Sequence, residues 1–248
     1  MFGRLRHPAL PIVSSPINNR NNRNFINMKR KAEKAVILLS GGIDSAVSFY
    51  SAKKKGYKLT ALIFDYNQRH KKEIEYAKRL INLNKAKFYL IKLNLSWAKS
   101  SLVNKKIKVP YGRSLNSRAI PSTYVPGRNI IFLTYAASLA ESIGAEKIFI
   151  GAHIQDYSGY PDCRPQFLRD FQAALNSGLS NKKINIVAPL IKKNKKEIIR
   201  LGQELKVPFQ FTWSCYQGGK YPCQRCDSCR FRIKAFKELG AGDPGLRK

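Results

Sequence analysis

From Lys34 onward, short apolar runs alternate with longer stretches whose apolar residues recur every three or four positions. That alternation is the signature of strands followed by helices in a parallel α/β fold. Ala35–Leu39 predicts the first strand and Asp44–Lys55 the first helix, with Gly56 where a helix-terminating glycine belongs. Leu59–Phe64, ending in Asp65, predicts the second strand. Arg69 to Leu83 reads as the next helix, with Ile74, Ala77, Leu80 and Ile81 on one face, and Phe88–Leu93 as the third strand.

The period then fails. Residues 95–127 hold Pro110, Gly112, Pro121, Pro126 and Gly127, and an irregular connection of this length inside a compact domain is usually a functional loop or lid. Asn129–Ile143 returns as a helix apolar nearly all round, hence expected to be buried, with Asn129 able to cap it. Lys147–Gly151 predicts strand four, and His153–Pro165 a second irregular segment. A helix over Pro165–Leu175, a strand over Ile184–Val187 and a helix capped by Asn194 that stops near Leu205, before Pro208, follow. A short helix, Cys229–Leu239, is closed by Gly240. In open parallel sheets ligands bind beyond the carboxyl ends of the strands, so the loop after strand one, Asp65 and the segment 151–162 are expected to converge on one cleft.

Length and charge narrow the picture. The 248 residues suit one α/β domain with a small appendage, and no apolar run approaches a membrane span, so the chain reads as soluble. The formal charge of +31 favours anionic partners. Much of it is lysine scattered through helices, as in Lys53-Lys54-Lys55 and Lys192-Lys193, so solvated lysine faces and an RNA-binding surface are both open readings. Residues 1–27 carry Arg4, Arg6, Arg20 and Arg23, no acidic residue, and an Asn/Arg tract. A transit peptide is one reading of them. The favoured one is a disordered tail or a misassigned start, with Met28 the beginning of the protein proper. The expected organisation is therefore a tail at 1–27, a nucleotide-binding domain at 28–208 and a metal-binding segment at 209–248.

Candidate chemistry begins at LLSGGIDSAV. A strand that passes through Ser-Gly-Gly into a helix offers free N–H groups and a partial positive charge to an anion. Leu39, Ser40, Gly41, Gly42, Ile43, Asp44, Ser45 and Ala46 are the expected ATP contacts, with Asp44 placed to cap the helix or meet Mg²⁺ held on the phosphates. The Gly-Lys-Ser/Thr ending of a Walker A loop is absent. The stretch resembles instead the SGGxDS loop of ATP pyrophosphatases (PP-loop enzymes), which cleave ATP to AMP and pyrophosphate.

Cys215, Cys223, Cys226 and Cys229 are separated by seven, two and two residues. Four thiolates at such spacing suit a closed structural zinc site, while an iron–sulfur cluster is the alternative. Zinc is favoured because nothing else implies redox chemistry. Clustered cysteines without a secretory signal also point to a reducing compartment, the cytoplasm.

With these elements in order, the chain from about Lys34 to Gly245 resembles the 7-cyano-7-deazaguanine synthase (QueC) family. The stretches that carry the resemblance are LLSGGIDS, FDYNQRHKKE, STYVPGRN, DYSGYPDCRP, KKEIIRLG and FTWSCYQGGKYPCQRCDSCRFR. It implies a Rossmann-like PP-loop domain, one zinc per chain on the four cysteines, and an ATP-dependent ligase. Such an enzyme joins ammonia to 7-carboxy-7-deazaguanine and yields a nitrile precursor of queuosine or archaeosine. Two positions depart from the family pattern. Asn67 stands where Gly is usual, and Asn tolerates left-handed φ better than most residues. Gln166 stands where Glu is usual, which puts any charge role there in doubt.

Within that frame, Lys195 is the candidate phosphate contact and Arg128, in the fixed Pro-Gly turn of YVPGRN, a further catalytic cation. A guanine-like edge presents adjacent N–H donors that a carboxylate accepts. Asp156 and Asp162 are the candidates for that contact, with Tyr157 and Tyr160 able to stack on the ring. Both carboxylates also suit the capping of local turns. His70 and His153 have the chemistry of acid–base groups, but a single His is more often a structural hydrogen-bonder, and neither is assigned catalysis. The sequence does not determine the oligomeric state, a homodimer being one option. Two rival functions remain: a PP-loop enzyme acting directly on tRNA, for which Cys163 would be the reactive thiol, and a zinc-ribbon nucleic-acid-binding module. The latter leaves SGGIDS and the α/β body unexplained.

Overall fold

The computed structural model describes residues 32–112, 119–156, 159–180 and 183–246. The expectations for residues 1–27 and for Tyr157 fall outside that range. Strand β1 (Lys34–Leu38) lies at the centre of a five-stranded parallel sheet. On one side it pairs with β2 (Lys58–Asp65), Lys34 opposite Lys58 through Leu38 opposite Leu62, and β2 pairs with the edge strand β3 (Lys87–Lys92). On the other side it pairs with β4 (Lys147–Phe149), which carries β5 (Asn185–Val187). The strand order is therefore β3-β2-β1-β4-β5, and it reverses between β1 and β4. That reversal opens a crevice at the carboxyl ends of these two strands.

Both faces of the sheet are covered. Ala35, Ile37, Ala61 and Ile63 point into a core shared with α1 (Ile43–Lys54), α2 (Lys72–Asn84) and α5 (Lys195–Glu204). Val36, Leu38, Leu62 and Phe64 face the opposite core, built with α3 (Arg128–Ile143) and α4 (Pro165–Gly178). The alternation along β1 and β2 is the pleat itself, each successive side chain taking the other face. Helix α6 (Asp227–Glu238) packs beside α5, and Phe209, Ala235 and Phe236 from the C-terminal region enter the first core. No helix among the described residues is long and apolar enough to cross a membrane.

Two expectations change. Helix α3 is not buried all round: Leu133, Ala136, Ala137 and Ala140 are buried, but Ile130 and Tyr135 are about two-fifths exposed. A helix lying on one face of a sheet buries only the stripe that meets it, whatever the composition of its outer side. Helix α2 begins at Lys72, not Arg69. Asn67 takes a left-handed φ of 62°, and its N–H donates to Asp65 Oδ1, so residues 66–71 form a turn before the helix starts. The Asn at the family's Gly position thus adopts the conformation that Gly would supply.

Candidate nucleotide site

The loop after β1 is wound by its own serines. Ser45 Oγ accepts from Ser40 N at 3.2 Å and donates to Gly42 O at 3.1 Å, while Gly42 N donates to Ser40 Oγ at 3.2 Å. Gly41 has φ 85° and packs so closely on the first turn of α2 that a Cβ would collide with the Glu73 carbonyl. Gly151, at the end of β4, lets that strand approach the start of α1, since a Cβ there would meet Asp44 C and Ser45 N at 3.0 Å. Only glycine allows both approaches. Together they join the phosphate loop to the two elements beside it.

One cleft opens over this loop, enclosing about 1270 Å³ of atom-free space with the solvent at its mouth included. Of the eight expected nucleotide contacts, Leu39, Ser40, Gly42, Ile43, Asp44 and Ser45 line it. Gly41 supports the loop from behind, and Ala46 is fully buried in α1. Lys195, brought in by α5, sets its Nζ 2.6 Å from Asp44 Oδ1 and 3.1 Å from His153 Nε2. The start of α5 is fixed by a reciprocal cap: Asn194 accepts from Glu197 N, and the Glu197 side chain accepts from Asn194 N. Burial alone would raise the Asp44 carboxyl, but the Lys195 charge and His153 hold it well below the usual carboxylate range. His153 Nε2 also lies 3.5 Å from Asp156 Oδ2. Asp44, Lys195, His153 and Asp156 therefore form one charge cluster around the loop.

The same cleft is lined by Arg128, Tyr66, Tyr160 and Asp156. Arg128 Nη1 donates to Tyr66 Oη at 3.2 Å, and Thr123 Oγ1 and Tyr160 Oη share a hydrogen bond of 3.0 Å. Burial pushes Tyr66 up to about 12, against the pull of Arg128, so its phenol stays protonated. Burial works against the charge on Arg128, yet Tyr66, Tyr160 and Asp162 keep the guanidinium above its ordinary range. The site thus holds a permanent cation.

Asp162 does not line this cleft. Its Oδ2 accepts from Asn129 N at 2.9 Å, at the start of α3, where Gly127 provides no side-chain cap. The carboxylate expected for base recognition is used to cap a helix, and Asn129, expected to cap, instead donates through Nδ2 to Cys163 Sγ at 3.1 Å. Asp65 is likewise occupied elsewhere, by Asn67 N and by Lys71 Nζ at 3.5 Å. Gln166 is exposed on α4, where its Nε2 donates to Asp170. Cys163 does line the cleft, but burial pushes its thiol well above the ordinary range. A reactive cysteine needs the opposite shift.

Several lining residues were not anticipated: His70 and Glu73 from the turn and first turn of α2, and Trp213, Ser214, Tyr216, Ser228 and Arg232 from the C-terminal region. Trp213 N donates to Gly41 O at 2.9 Å, so the strap leading to the first cysteine is bonded to the phosphate loop. Arg232 is buried and doubly bonded to Asp243, at 2.6 and 2.7 Å, while also donating to the carbonyls of Thr212 and Phe209.

Beyond that strap, the sulfurs of Cys215, Cys223, Cys226 and Cys229 all lie within 4.8 Å of one another. A tetrahedral site with metal–sulfur bonds of about 2.3 Å has sulfurs roughly 3.8 Å apart, which this cluster accommodates. Cys223 N donates to Cys215 Sγ at 3.2 Å and Cys226 N to Cys223 Sγ at 3.4 Å, donors that favour thiolates. Hydrogen bonds from Cys226 and Cys229 draw the Cys215 thiol far below the ordinary range, and bonding to Cys215 pushes Cys226 up to about 12. The four cysteines fit a metal.

A parallel α/β sheet with a Ser-Gly-Gly loop at its switch point, flanked by the half-buried cations Lys195 and Arg128, defines a nucleotide-binding protein of the PP-loop class. The family model described as queuosine biosynthesis protein QueC matches residues 34–240. The chain is similar to the 7-cyano-7-deazaguanine synthase of Clostridium kluyveri, with 48% identity over 86% of this chain and 96% of that protein. It is also similar to the 7-cyano-7-deazaguanine synthase of Trichodesmium erythraeum, at 46% identity over 85% and 99%. Among solved structures, NMN synthetase from Francisella tularensis aligns with a TM-score of 0.48 at 19% identity, over 87% of this chain and 81% of that one. The chain belongs to the QueC family.

Proposed function

We propose that the protein converts 7-carboxy-7-deazaguanine and ammonia to 7-cyano-7-deazaguanine at the expense of ATP, through adenylated intermediates, in queuosine or archaeosine precursor synthesis. The observation that carries this reading is the single cleft that joins the phosphate loop to Arg128, Asp156 and Tyr160. Relatives of nearly the same length, named for this reaction, support it.

A carboxylate resists ammonia because it is already anionic and its oxygen leaves poorly. Transfer of AMP onto that oxygen turns it into a leaving group, and ammonia then forms the amide. The amide oxygen must be adenylated in turn before water is formally lost to give the nitrile. One site serves both rounds if it places the α-phosphate in line with an oxygen nucleophile and neutralises the charge that develops. In this reading the free N–H groups of the loop and the Lys195 ammonium receive the phosphates. Asp44 orients Lys195, and Arg128 receives the carboxylate or the α-phosphate. Asp156, whose Oδ2 already accepts from His153 N, accepts from the N–H edge of the base through Oδ1, and Tyr160 forms a wall of the ring pocket, with Tyr157 assigned beside it from the sequence. Mg²⁺ carried with ATP would neutralise phosphate charge, and Asp44 is the loop carboxylate that would hold it. Zn²⁺ on the four cysteines would supply structure rather than chemistry, fixing the strap that runs from Trp213 to the phosphate loop. The reaction belongs in the cytoplasm, where thiols stay reduced.

The test is the acceptor dependence of ATP turnover. AMP and pyrophosphate should appear when the free base and ammonia are both supplied, without RNA and with little dependence on salt. If AMP release required tRNA, fell steeply with salt, and did not occur with the free base, the tRNA-modifying reading would replace this one. The raised Cys163 thiol already weighs against thiolation.

A further inference from the structure

His70 and Glu73 stand inside the nucleotide cleft without a part in the chemistry just described. Both are held in place. His70 Nε2 lies 3.3 Å from Glu73 Oε2, with the two side chains 5% and 13% exposed. Glu73 Oε1 accepts from Gln68 Nε2 at 3.2 Å. Gln68 is itself locked to the backbone at the end of β2, accepting from Tyr66 N at 2.9 Å and donating to Phe64 O at 3.1 Å. An ionised carboxylate only accepts hydrogen bonds, so in the neutral imidazole Nε2 carries the hydrogen and Nδ1 keeps its lone pair. Nδ1 has no hydrogen-bond partner among the described residues, and the residue is buried. A buried acceptor without a partner, on a residue that lines the cleft, calls for a donor that arrives with a ligand and a small shift of the ring to meet it.

The pair also sits beside the reacting centre. Gly41 of the phosphate loop packs against the Glu73 carbonyl, Tyr216 faces the His70 ring at 5.8 Å between centroids, and Glu73 is close enough to Tyr66 to oppose its ionisation. One side of this corner therefore meets the phosphate loop and another the Arg128–Tyr66 pocket.

We propose that His70 and Glu73 form the ammonia-receiving site, taking up ammonium from solvent and delivering it as ammonia to the adenylated acyl carbon. This rests on the adenylation reading above and names where its nucleophile binds. Ammonium offers four N–H donors and a positive charge. Glu73 supplies the counter-charge and acceptors, and His70 Nδ1 the unpartnered lone pair. One proton passes from ammonium to His70 Nδ1. The freed nitrogen lone pair forms the C–N bond as the C–O bond to AMP breaks, with AMP leaving as the anion. The second proton shed by the new amide nitrogen goes to solvent water. Protons and electron pairs balance with no further reactant.

His70→Asn and Glu73→Gln test the assignment through the choice of nucleophile. Hydroxylamine is uncharged at neutral pH and needs no deprotonation before attack. In either variant the KM for ammonium should rise about tenfold or more, while hydroxamate formation from the same acyl adenylate stays within about threefold of the parent. A damaged fold would depress both nucleophiles together. An unchanged KM for ammonium, or a parallel loss with hydroxylamine, would overturn the proposal. Should His70→Asn fail to fold, Glu73→Gln decides alone. If the parent protein released no AMP with the base and either nucleophile, the adenylation reading itself would fall, and this site with it.

Discussion

Two parts of the cleft lining are built differently. Leu39 to Ser45 form a continuous loop that folds on its own serines and meets charge partners whose positions are all spoken for: Lys195 on Asp44, and His153 between Asp44 and Asp156. His70 and Glu73, Arg128, and Trp213, Tyr216 and Arg232 come from separate segments, the first two held by each other and by Gln68, others by bonds to distant residues, such as Arg232 to Asp243 and Trp213 N to Gly41 O. The first part suits a ligand portion that never varies, a triphosphate. The second suits a reaction in which the group presented changes from carboxylate to amide. It also draws Trp213, Tyr216 and Arg232 from the C-terminal segment, which meets the first part through the Trp213 N–Gly41 O bond, so the cysteine cluster bears on both parts and lines up most directly with the second.

The sharpest break in that comparison is loss of the metal. The protein should hold about one zinc and be colourless, and Cys226→Ser should release the metal and unfold the C-terminal segment, since structural zinc sites contribute about 10 kcal/mol or more of folding free energy. Metal analysis with limited proteolysis reads this. A brown sample, or a metal-free protein as stable as the parent, would refute the zinc assignment. Asp243→Ala comes next: it leaves the Arg232 guanidinium buried and unpaired and should cost about 3–5 kcal/mol in urea unfolding. A cost under about 1 kcal/mol would mean the pair behaves as a surface bridge.

Lys195→Ala addresses the other part. Turnover should fall by about 10²–10³ in protein that stays folded at the assay temperature, as expected when a cation serving the transition state is removed, while loss of the Asp44 ion pair lowers the melting temperature only modestly. Equal turnover would remove Lys195 from the mechanism. A smaller effect concerns acid. Asp44 is ionised in the fold well below its ordinary value of 3.8, so its contribution to stability is complete above that pH and is lost as the pH falls further. Asp44→Asn should therefore flatten part of the acid-unfolding profile below about pH 4. An unaltered profile would show that the ion pair contributes nothing to stability. The smallest change belongs to Asn67→Gly, which relieves a left-handed residue and should shift stability by about 1 kcal/mol at most, with activity retained.

The parts that could be read in the sequence are those whose chemistry is local. The apolar run before Ser40, the glycines after it, the Asn194–Glu197 cap and the cysteine spacing each determine their own geometry within a few residues. What escaped is set by contacts between distant segments. Asp44 and Lys195 meet across 151 positions, and their sequence neighbourhoods gave only a suspicion that Lys195 differs from its many neighbours. Asp162 looked equivalent to Asp156 because a carboxylate near tyrosines has the same local signature whether it caps a helix or faces a ligand. His70 and Glu73 resembled an ordinary turn and helix start; their one clue was the Gln-Arg-His run in the matched stretch. The open side of α3 was hidden because apolar composition does not say how many neighbours a helix has.

The most direct measurement follows the oxygens. With both carboxylate oxygens of 7-carboxy-7-deazaguanine labelled with ¹⁸O, adenylation of the acid and then of the amide sends each oxygen out on an AMP. Mass spectrometry should therefore find two AMP molecules, each bearing one ¹⁸O, for every nitrile formed, and no label in pyrophosphate. Unlabelled AMP, with the ¹⁸O recovered in water or inorganic phosphate, would contradict the adenylation account at its centre.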